Sequence, residues 1–142
     1  MEQADLSIIA SVKTIKSPRS LELYINSNCN IGYDSFCEYF SDILLSHKLS
    51  VSDIQRKCFI ERSYFYKIIK GNRIPGRDKI FLLALAAHMD LNETQYALML
   101  AKEGVLFEKN KRDMIIAYSL DKKLSVPETN SLLAGHGEEE LQ

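Results

Sequence analysis

The sequence predicts an all-α protein, and three observations support this prediction. Apolar residues recur at spacings of three and four, as in Phe36, Phe40, Ile43 and Leu44, which is the pattern of an amphipathic helix. Capping residues precede several such stretches and are followed three positions later by an acid or amide, which is typical of helix starts. No useful length of chain alternates apolar and polar residues with the period of two that a strand requires.

The helices are expected to follow one another with short connections, about six or seven in all. The periodic stretches place them at residues 36–47, 52–57, 62–70, 80–87, 90–103, 112–120 and 126–133. Capped starts are predicted at Ser35/Glu38, Ser50/Asp53, Asn92/Gln95, Asn110/Asp113 and Ser125/Glu128. Helix ends are predicted at Gly71, Gly104 and Gly135, because glycine readily adopts the left-handed conformation that ends a helix.

The sequence divides into four regions. Residues 1–30 carry scattered apolar residues without a sustained period, so we expect a loosely ordered N-terminal arm with one short helix near residues 20–26. Residues 31–104 are predicted to form the main helical domain, and residues 105–136 a C-terminal extension of two helices. Residues 137–142 form an acidic tail that we expect to be frayed.

Composition excludes several classes of protein. No uncharged apolar run approaches the roughly 18 residues of a membrane span, and the first 16 residues lack the pattern of a secretory signal. Cys29, Cys37 and Cys58 are odd in number and form no CxxC pair, so neither a disulfide framework nor a zinc finger is indicated. We therefore expect a cytoplasmic protein with no membrane partner.

Catalysis is not indicated either. His47, His88 and His136 lie far apart in the sequence, and neither a GxSxG nor an HExxH motif occurs. The glycine-containing stretch at 71–76 lacks the Gly-Lys-Ser/Thr ending of a phosphate-binding loop. The sequence predicts no enzyme, no cofactor and no metal site.

Charge is distributed unevenly along the chain. The 142 residues carry 18 basic and 19 acidic side chains, so the whole molecule gives no reason to expect attraction to nucleic acid. Residues 56–79, however, hold eight basic and two acidic side chains, a net charge of +6. Such a run most often marks a solvated helix face. Here it coincides with a motif, which favours a functional interpretation.

The motif consists of two short helices joined by a tight turn through Phe59 and Ile60. The side chains expected to face inward are Ile54, Cys58, Ile60, Phe65, Ile68 and Ile69. The remaining positions of the second helix, which are Arg62, Ser63, Tyr66, Lys67 and Lys70, are expected to form an outward basic face. An exposed helix of this kind can enter the major groove of DNA, where Arg or Lys finds guanine acceptors.

Residues 49–84 resemble the lambda-repressor/Cro class of helix-turn-helix domains, also called the XRE family. The match runs without a gap, and its most diagnostic stretch leads from the turn through Gly71 to Pro75. The matching residues are Leu49, Ser50, Ile54, Ile60, Arg62, Ser63, Phe65, Lys67, Ile68, Gly71, Asn72, Arg73, Pro75, Ile80, Leu83 and Ala84. The resemblance implies a bundle of five helices and a transcriptional regulator that binds double-stranded DNA.

The resemblance also implies the contact residues. Base-contacting positions fall on Glu61, Arg62, Ser63 and Lys67, with Tyr66 at the edge of the footprint. Phosphate-contacting positions fall on Ser52, Lys70, Asn72 and Arg73. Two further phosphate contacts are expected on other grounds. Val51 stands where the family often has a phosphate-binding Gln, so that contact must come from backbone N–H groups at the helix start or from Arg56. Arg77 is suggested by its charge alone.

Some departures from the family pattern keep an alternative open. Val51 and Glu61 stand where the family often has a phosphate-binding Gln and a Ser or Thr cap, and Phe59 replaces the turn glycine. An acid at the leading end of the second helix, in an otherwise acidic chain, is also compatible with a protein-interaction adaptor that has lost base readout.

The two C-terminal helices exceed the five that this class of domain needs. One use is homodimerisation, because DNA half-sites about 34 Å apart require two recognition helices related by a two-fold axis. A second use is docking a protein signalling partner. A third is that these helices, including Ile115 and Ile116, only complete the core of the chain.

Overall fold

The computed structural model describes residues 6–29 and 32–142; residues 1–5, 30 and 31 lie outside the described ranges. The described residues form helices and no strands, which confirms the all-α prediction. The chain divides into two compact units, Met1–Tyr33 and Asp34–Gln142. No helix of the described ranges is both long and apolar enough to cross a membrane.

The first unit is more regular than its sequence suggested. It contains α1 (Leu6–Thr14), α2 (Pro18–Tyr24) and a π-helical segment, Ile25–Cys29. The short helix expected near residues 20–26 corresponds to α2, but the expectation of a loosely ordered arm around it is wrong for the described part, which also holds α1 and the π-helical segment. Ser17 caps α2 by accepting a hydrogen bond from the backbone N–H of Ser20 at 3.2 Å. The residue three positions after this cap is a serine rather than an acid or amide, so a search for acidic partners misses it.

The second unit holds seven helices among its described residues. They are α3 (Phe36–Ser46), α4 (Val51–Cys58), α5 (Arg62–Ile69), α6 (Arg77–Ala86), α7 (Leu91–Leu100), α8 (Lys111–Asp121) and α9 (Val126–Gly135). Four of the five predicted caps, at Ser35, Ser50, Asn110 and Ser125, accept the expected backbone hydrogen bond. The Asn92 prediction is wrong, because Asp90 caps α7 in a reciprocal arrangement with Glu93.

Most helix ends use left-handed residues other than glycine. Gly71 has a φ of +80° as predicted, but Gly104 and Gly135 do not adopt a left-handed conformation. Lys48, His88, Lys102 and Lys123 have φ values of 53–58° just after helices. The next residue then donates its N–H to a carbonyl five positions back, as from Met89 to Ala84 at 2.9 Å, which satisfies a carbonyl of the last turn.

Helix α6 forms the centre of the second unit. Residues 80–86 are all buried, and a helix that is apolar on every face needs neighbours on every face. Helices α4, α7, α8 and α9 all pack against it. Ile116 and Leu133 are completely buried, so α8 and α9 complete this core, whereas Ile115 stays half-exposed on the outer side.

Two arginine–aspartate pairs attach the start of α6 to the start of α8. Arg77 donates to both carboxylate oxygens of Asp113 at 2.9 and 2.8 Å. Arg112 of α8 donates to both carboxylate oxygens of Asp78 at 3.0 and 2.9 Å. This pairing raises the pKa of Arg112. Asp113 is only 4% exposed and also accepts the backbone N–H of Phe107. Because each of these charges is paired with an opposite charge and hydrogen-bonded to it, its burial is tolerated.

The acidic tail is docked, contrary to the expected fraying. Leu141 is buried, and its backbone N–H donates to the side-chain oxygen of Asn130 at 2.7 Å. Arg112 donates to the carbonyl of Glu139. The tail is held mainly through its backbone and one leucine, so a run of three glutamates gives a misleading indication of its order.

Replacing Asp113 by Ala should lower the free energy of unfolding by about 3 kcal/mol, because it leaves Arg77 without its carboxylate in a largely buried setting. Urea denaturation measures the change. Asp121→Ala is the matched control: Asp121 pairs with Lys122 on the exposed surface, so it should change stability by less than about 0.5 kcal/mol. Equal effects of the two substitutions would contradict the structural role of the Arg77–Asp113 pair.

Candidate nucleic-acid interface

The turn between α4 and α5 presents α5 at a defined angle. Phe59 ends α4 with φ 59° and ψ 27°, the left-handed conformation that costs a non-glycine residue about 1 kcal/mol. Its side chain is 64% exposed, whereas the following Ile60 is buried. The backbone thus makes the tight turn without glycine, and the phenyl ring lies exposed beside it.

Helix α5 has one buried face and one exposed face. Phe65 and Ile68 are buried, and the helix packs against α3. Arg62, Ser63, Lys67 and Lys70 are exposed, as predicted, and Tyr66 is half-buried. Ile69, expected inward, is also half-buried. The polar positions recur with the helical period, so they share one side of the cylinder.

The end of α5 is held by a close contact with α3. The thiol of Cys37 donates to the carbonyl of Ile69 at 3.1 Å. A Cβ added to Gly71 would lie 3.4 Å from the Cys37 sulfur, and the φ of Gly71 is itself one that side chains disfavour. The conformation therefore favours glycine where the basic helix turns back, while the space beside Cys37 would admit a Cβ at ordinary contact distance.

Glu61 begins α5 as its cap. Its carboxylate accepts the backbone N–H groups of Ser63 and Tyr64 at 3.1 and 3.0 Å, and the Ser63 hydroxyl donates to it at 2.8 Å. The Ser63 hydroxyl and these backbone groups hold the pKa of Glu61 below its ordinary value. Glu61 and Ser63, both predicted to contact bases, are thus hydrogen-bonded to each other. These hydrogen bonds order the start of α5.

Aromatic rings organise the cations around α5. The guanidinium of Arg73 lies 5.1 Å from the centre of the Tyr64 ring, and the ammonium of Lys79 lies 5.6 Å from it. Arg62 lies 5.7 Å from the centre of the Tyr66 ring. Such contacts hold a cation over the ring face while leaving its hydrogen-bond donors available. Lys79 was missed as part of this cluster, although it belongs to the basic segment 56–79.

The remaining predicted phosphate contacts fall on the exposed surface. Ser52 shares a 2.9 Å hydrogen bond with Ser50 at the start of α4. Lys70 and Asn72 are exposed around the end of α5. Arg56 is exposed and forms an ion pair with Asp53 of its own helix, a surface pairing that is weak enough to be exchanged for another anion.

Arg77 stands apart from the other candidates. Besides Asp113, its guanidinium donates to the carbonyls of Gly104 and Val105 at 2.8 and 3.1 Å, and it lies over the ring of Phe81. These bonds occupy most of its N–H donors within the protein. The prediction of a phosphate contact, which depended on charge alone, is therefore withdrawn: Arg77 acts as a structural cation.

The described residues include no cluster of three or more His, Cys, Asp or Glu side chains arranged to hold a metal ion. Cys58 lies fully buried in the core, and burial raises the pKa of its thiol, which keeps it protonated and unreactive. Its place matches the small apolar residue expected there.

Comparison with known proteins returns no match of the chain to a family model, to a curated protein or to a solved structure.

Replacing Ser63 by Ala should raise the pKa of Glu61 toward its ordinary value, because the hydroxyl is the largest cause of the lowering. A carbon-detected NMR titration of the glutamate carboxylates measures the midpoint. Ser41→Ala, at an exposed position of α3, should leave that midpoint unchanged. An unaltered Glu61 midpoint in Ser63→Ala would show that the hydroxyl does not bind the carboxylate in solution.

Proposed function

We propose that the chain is a lambda-repressor-like transcriptional regulator that binds double-stranded DNA through α5. The observation that carries the proposal is the face formed by Arg62, Lys67 and Lys70, exposed on a helix whose other side is buried. This face lies in a basic segment of an otherwise acidic chain. Acidic surfaces elsewhere would turn DNA away from the rest of the molecule and toward α5.

Base readout is assigned to the exposed side chains of α5. Arg62 and Lys67 match guanine acceptors in the major groove, and Tyr66 borders them. Ser63 contributes at the leading end once its hydroxyl turns from Glu61 toward a base. Glu61 itself serves as the cap that fixes the helix start rather than as an acceptor for cytosine.

Phosphate contacts are assigned to the two ends of the motif. Lys70, Asn72 and Arg73 lie where α5 ends, while Ser52 and Arg56 lie on α4. Contacts of this kind position the protein on the duplex and supply affinity without sequence preference. The proposal includes no catalytic step and places the protein in the cytoplasm, where it acts by occupying operator DNA.

The protein is proposed to bind DNA as a homodimer paired through α8 and α9. The outer side of these helices forms an open groove of about 470 Å³ lined by Lys111, Met114, Ile115, Tyr118, Leu132 and His136. Met114 and Tyr118 are 48% and 53% exposed. Apolar side chains left exposed at such a groove are typical of contact surfaces, and a two-fold partner would place a second α5 on a neighbouring half-site.

Duplex binding is tested by mobility shift over a series of salt concentrations. Lys70→Ala and Arg73→Ala should weaken binding equally on all sequences and reduce the salt slope by about one unit each. Arg62→Ala should instead relax preference at one base pair, worth about 1–3 kcal/mol. Lys109→Ala, which removes an exposed lysine between α7 and α8, is the control and should retain specificity.

The competing function is a protein-interaction adaptor on the same scaffold, which the exposed acid at Glu61 and the apolar Val51 favour. An absence of duplex affinity at about 50 mM salt, where phosphate contacts are strong, would contradict the DNA proposal and support the adaptor.

Sedimentation tests the dimer proposal. Met114→Glu should convert the dimer to a monomer, because it places a charge in the apolar groove. Met99→Glu is the matched control, since Met99 is similarly exposed on α7, and it should remain dimeric. A monomeric parent protein, or two variants that behave alike, would contradict pairing through α8 and α9.

A further inference from the structure

A second concave site lies where the ends of α4 and α6 meet the start of α9. It is a cavity of about 390 Å³ whose apolar lining includes Phe59, Leu85, Ala86 and Val126. Leu85 and Val126 are buried in the core, so they form a fixed floor, while the exposed ring of Phe59 forms a wall. The volume lies within the range of small-molecule sites, which are about 300–1,000 Å³.

The rim of this cavity is cationic. Arg56 and Lys57 of α4 line it together with His88, and the ammonium of Lys123 lies 3.4 Å from the carbonyl of His88. The residues that line the cavity include no carboxylate. The nearest acids on the same helices are otherwise engaged: Asp53 pairs with Arg56, and Glu128 closes the cap of α9.

Two lysines lie close enough to His88 to affect its titration. Partial burial lowers the pKa of His88 most, and the charges of Lys123 and Lys57 lower it further. The two lysines therefore place positive charge beside this edge of the cavity.

We propose that this cavity binds a small organic anion with an apolar body, such as an aromatic or aliphatic carboxylate. The apolar body would lie against Leu85, Val126 and Phe59, where it removes exposed apolar surface from water. The carboxylate would face Lys57, which lines the cavity, and Lys123, whose ammonium donates to the carbonyl of His88 at the rim. A ligand of this kind is bound where an apolar surface lies next to a few positively charged side chains.

The site borders the candidate DNA-binding motif. Phe59 is both the wall of the cavity and the residue that ends α4 before the turn into α5. An occupant would therefore contact the turn itself. Arg56 lines the cavity and is also assigned to a phosphate contact, so the two sites share this one side chain. The test of the cavity is nevertheless independent of DNA binding, because its probe and its variants do not involve Arg56, Arg62 or Lys67.

The test uses naphthalene-1-carboxylate as the probe and amide NMR of the full chain labelled with nitrogen-15. We expect saturable shifts centred on Phe59, Ala86, His88 and Val126. Naphthalene-1-methanol, which has nearly the same shape without the charge, should bind at least tenfold more weakly, because the cationic rim contributes only to the anion.

Lysine variants distinguish a specific effect of the cationic rim from a general effect of the protein's positive charge. The double variant Lys57→Gln and Lys123→Gln should weaken binding of the carboxylate at least fivefold and leave the affinity for the alcohol unchanged. Lys109→Gln and Lys48→Gln together remove two exposed lysines that do not line the cavity, and they should leave the affinity for the carboxylate unchanged. All four positions are on the surface, so the amide spectra verify that each variant is folded.

Three results would overturn the proposal. One is a carboxylate titration that does not saturate. Another is equal affinity for the carboxylate and the alcohol. The third is a set of shifts centred on Met114 and Tyr118, which would place the probe in the groove between α8 and α9 instead.

Discussion

The burial of α6 is the constraint on which the second unit depends. Residues 80–86 form an apolar helix with no face suited to water, so helices must surround it. Helices α4 and α7 pack against part of α6, and α8 and α9 pack against it as well. The two last helices are thus part of the core rather than an appendage, which explains why their inner residues, such as Ile116, are buried while Met114 faces outward. Helix α5 packs on α3, so its polar face remains open.

Electrostatics divides the basic segment into two functional groups. Arg77 is committed to Asp113, and the reciprocal pair of Arg112 with Asp78 uses the same two helix starts. These bonds join α6 to α8 and leave few donors for an external anion. The cations around α5 are held instead by ring faces, as Arg73 is by Tyr64, which orients them without consuming their hydrogen bonds. Position in the fold, rather than charge alone, therefore decides which arginine is available to a ligand.

Much of the fold could be predicted from local chemistry, and the failures have physical causes. Caps such as Ser35 and Ser125 are visible because a side chain bonds the backbone three residues on. The helix ends at Lys48, His88 and Lys123 could not be predicted, because no residue type marks a left-handed position that is not glycine. Backbone hydrogen bonds of the helix end stabilise that conformation instead. The buried and exposed faces of α5 follow from periodicity. The partner of Arg77 and the docking of Leu141 arise from contacts distant in sequence, which no local pattern records.

We propose that the outward face of α5 reads the sequence of a DNA duplex. A selection from random double-stranded DNA with the purified protein tests it most directly, because occupancy and preference are measured together. We expect enrichment of a two-fold symmetric sequence whose half-sites contain guanine opposite Arg62 or Lys67 and lie about one helical turn apart. Recovery of sequences indistinguishable from the starting pool, at a salt concentration low enough for phosphate contacts to act, would contradict it.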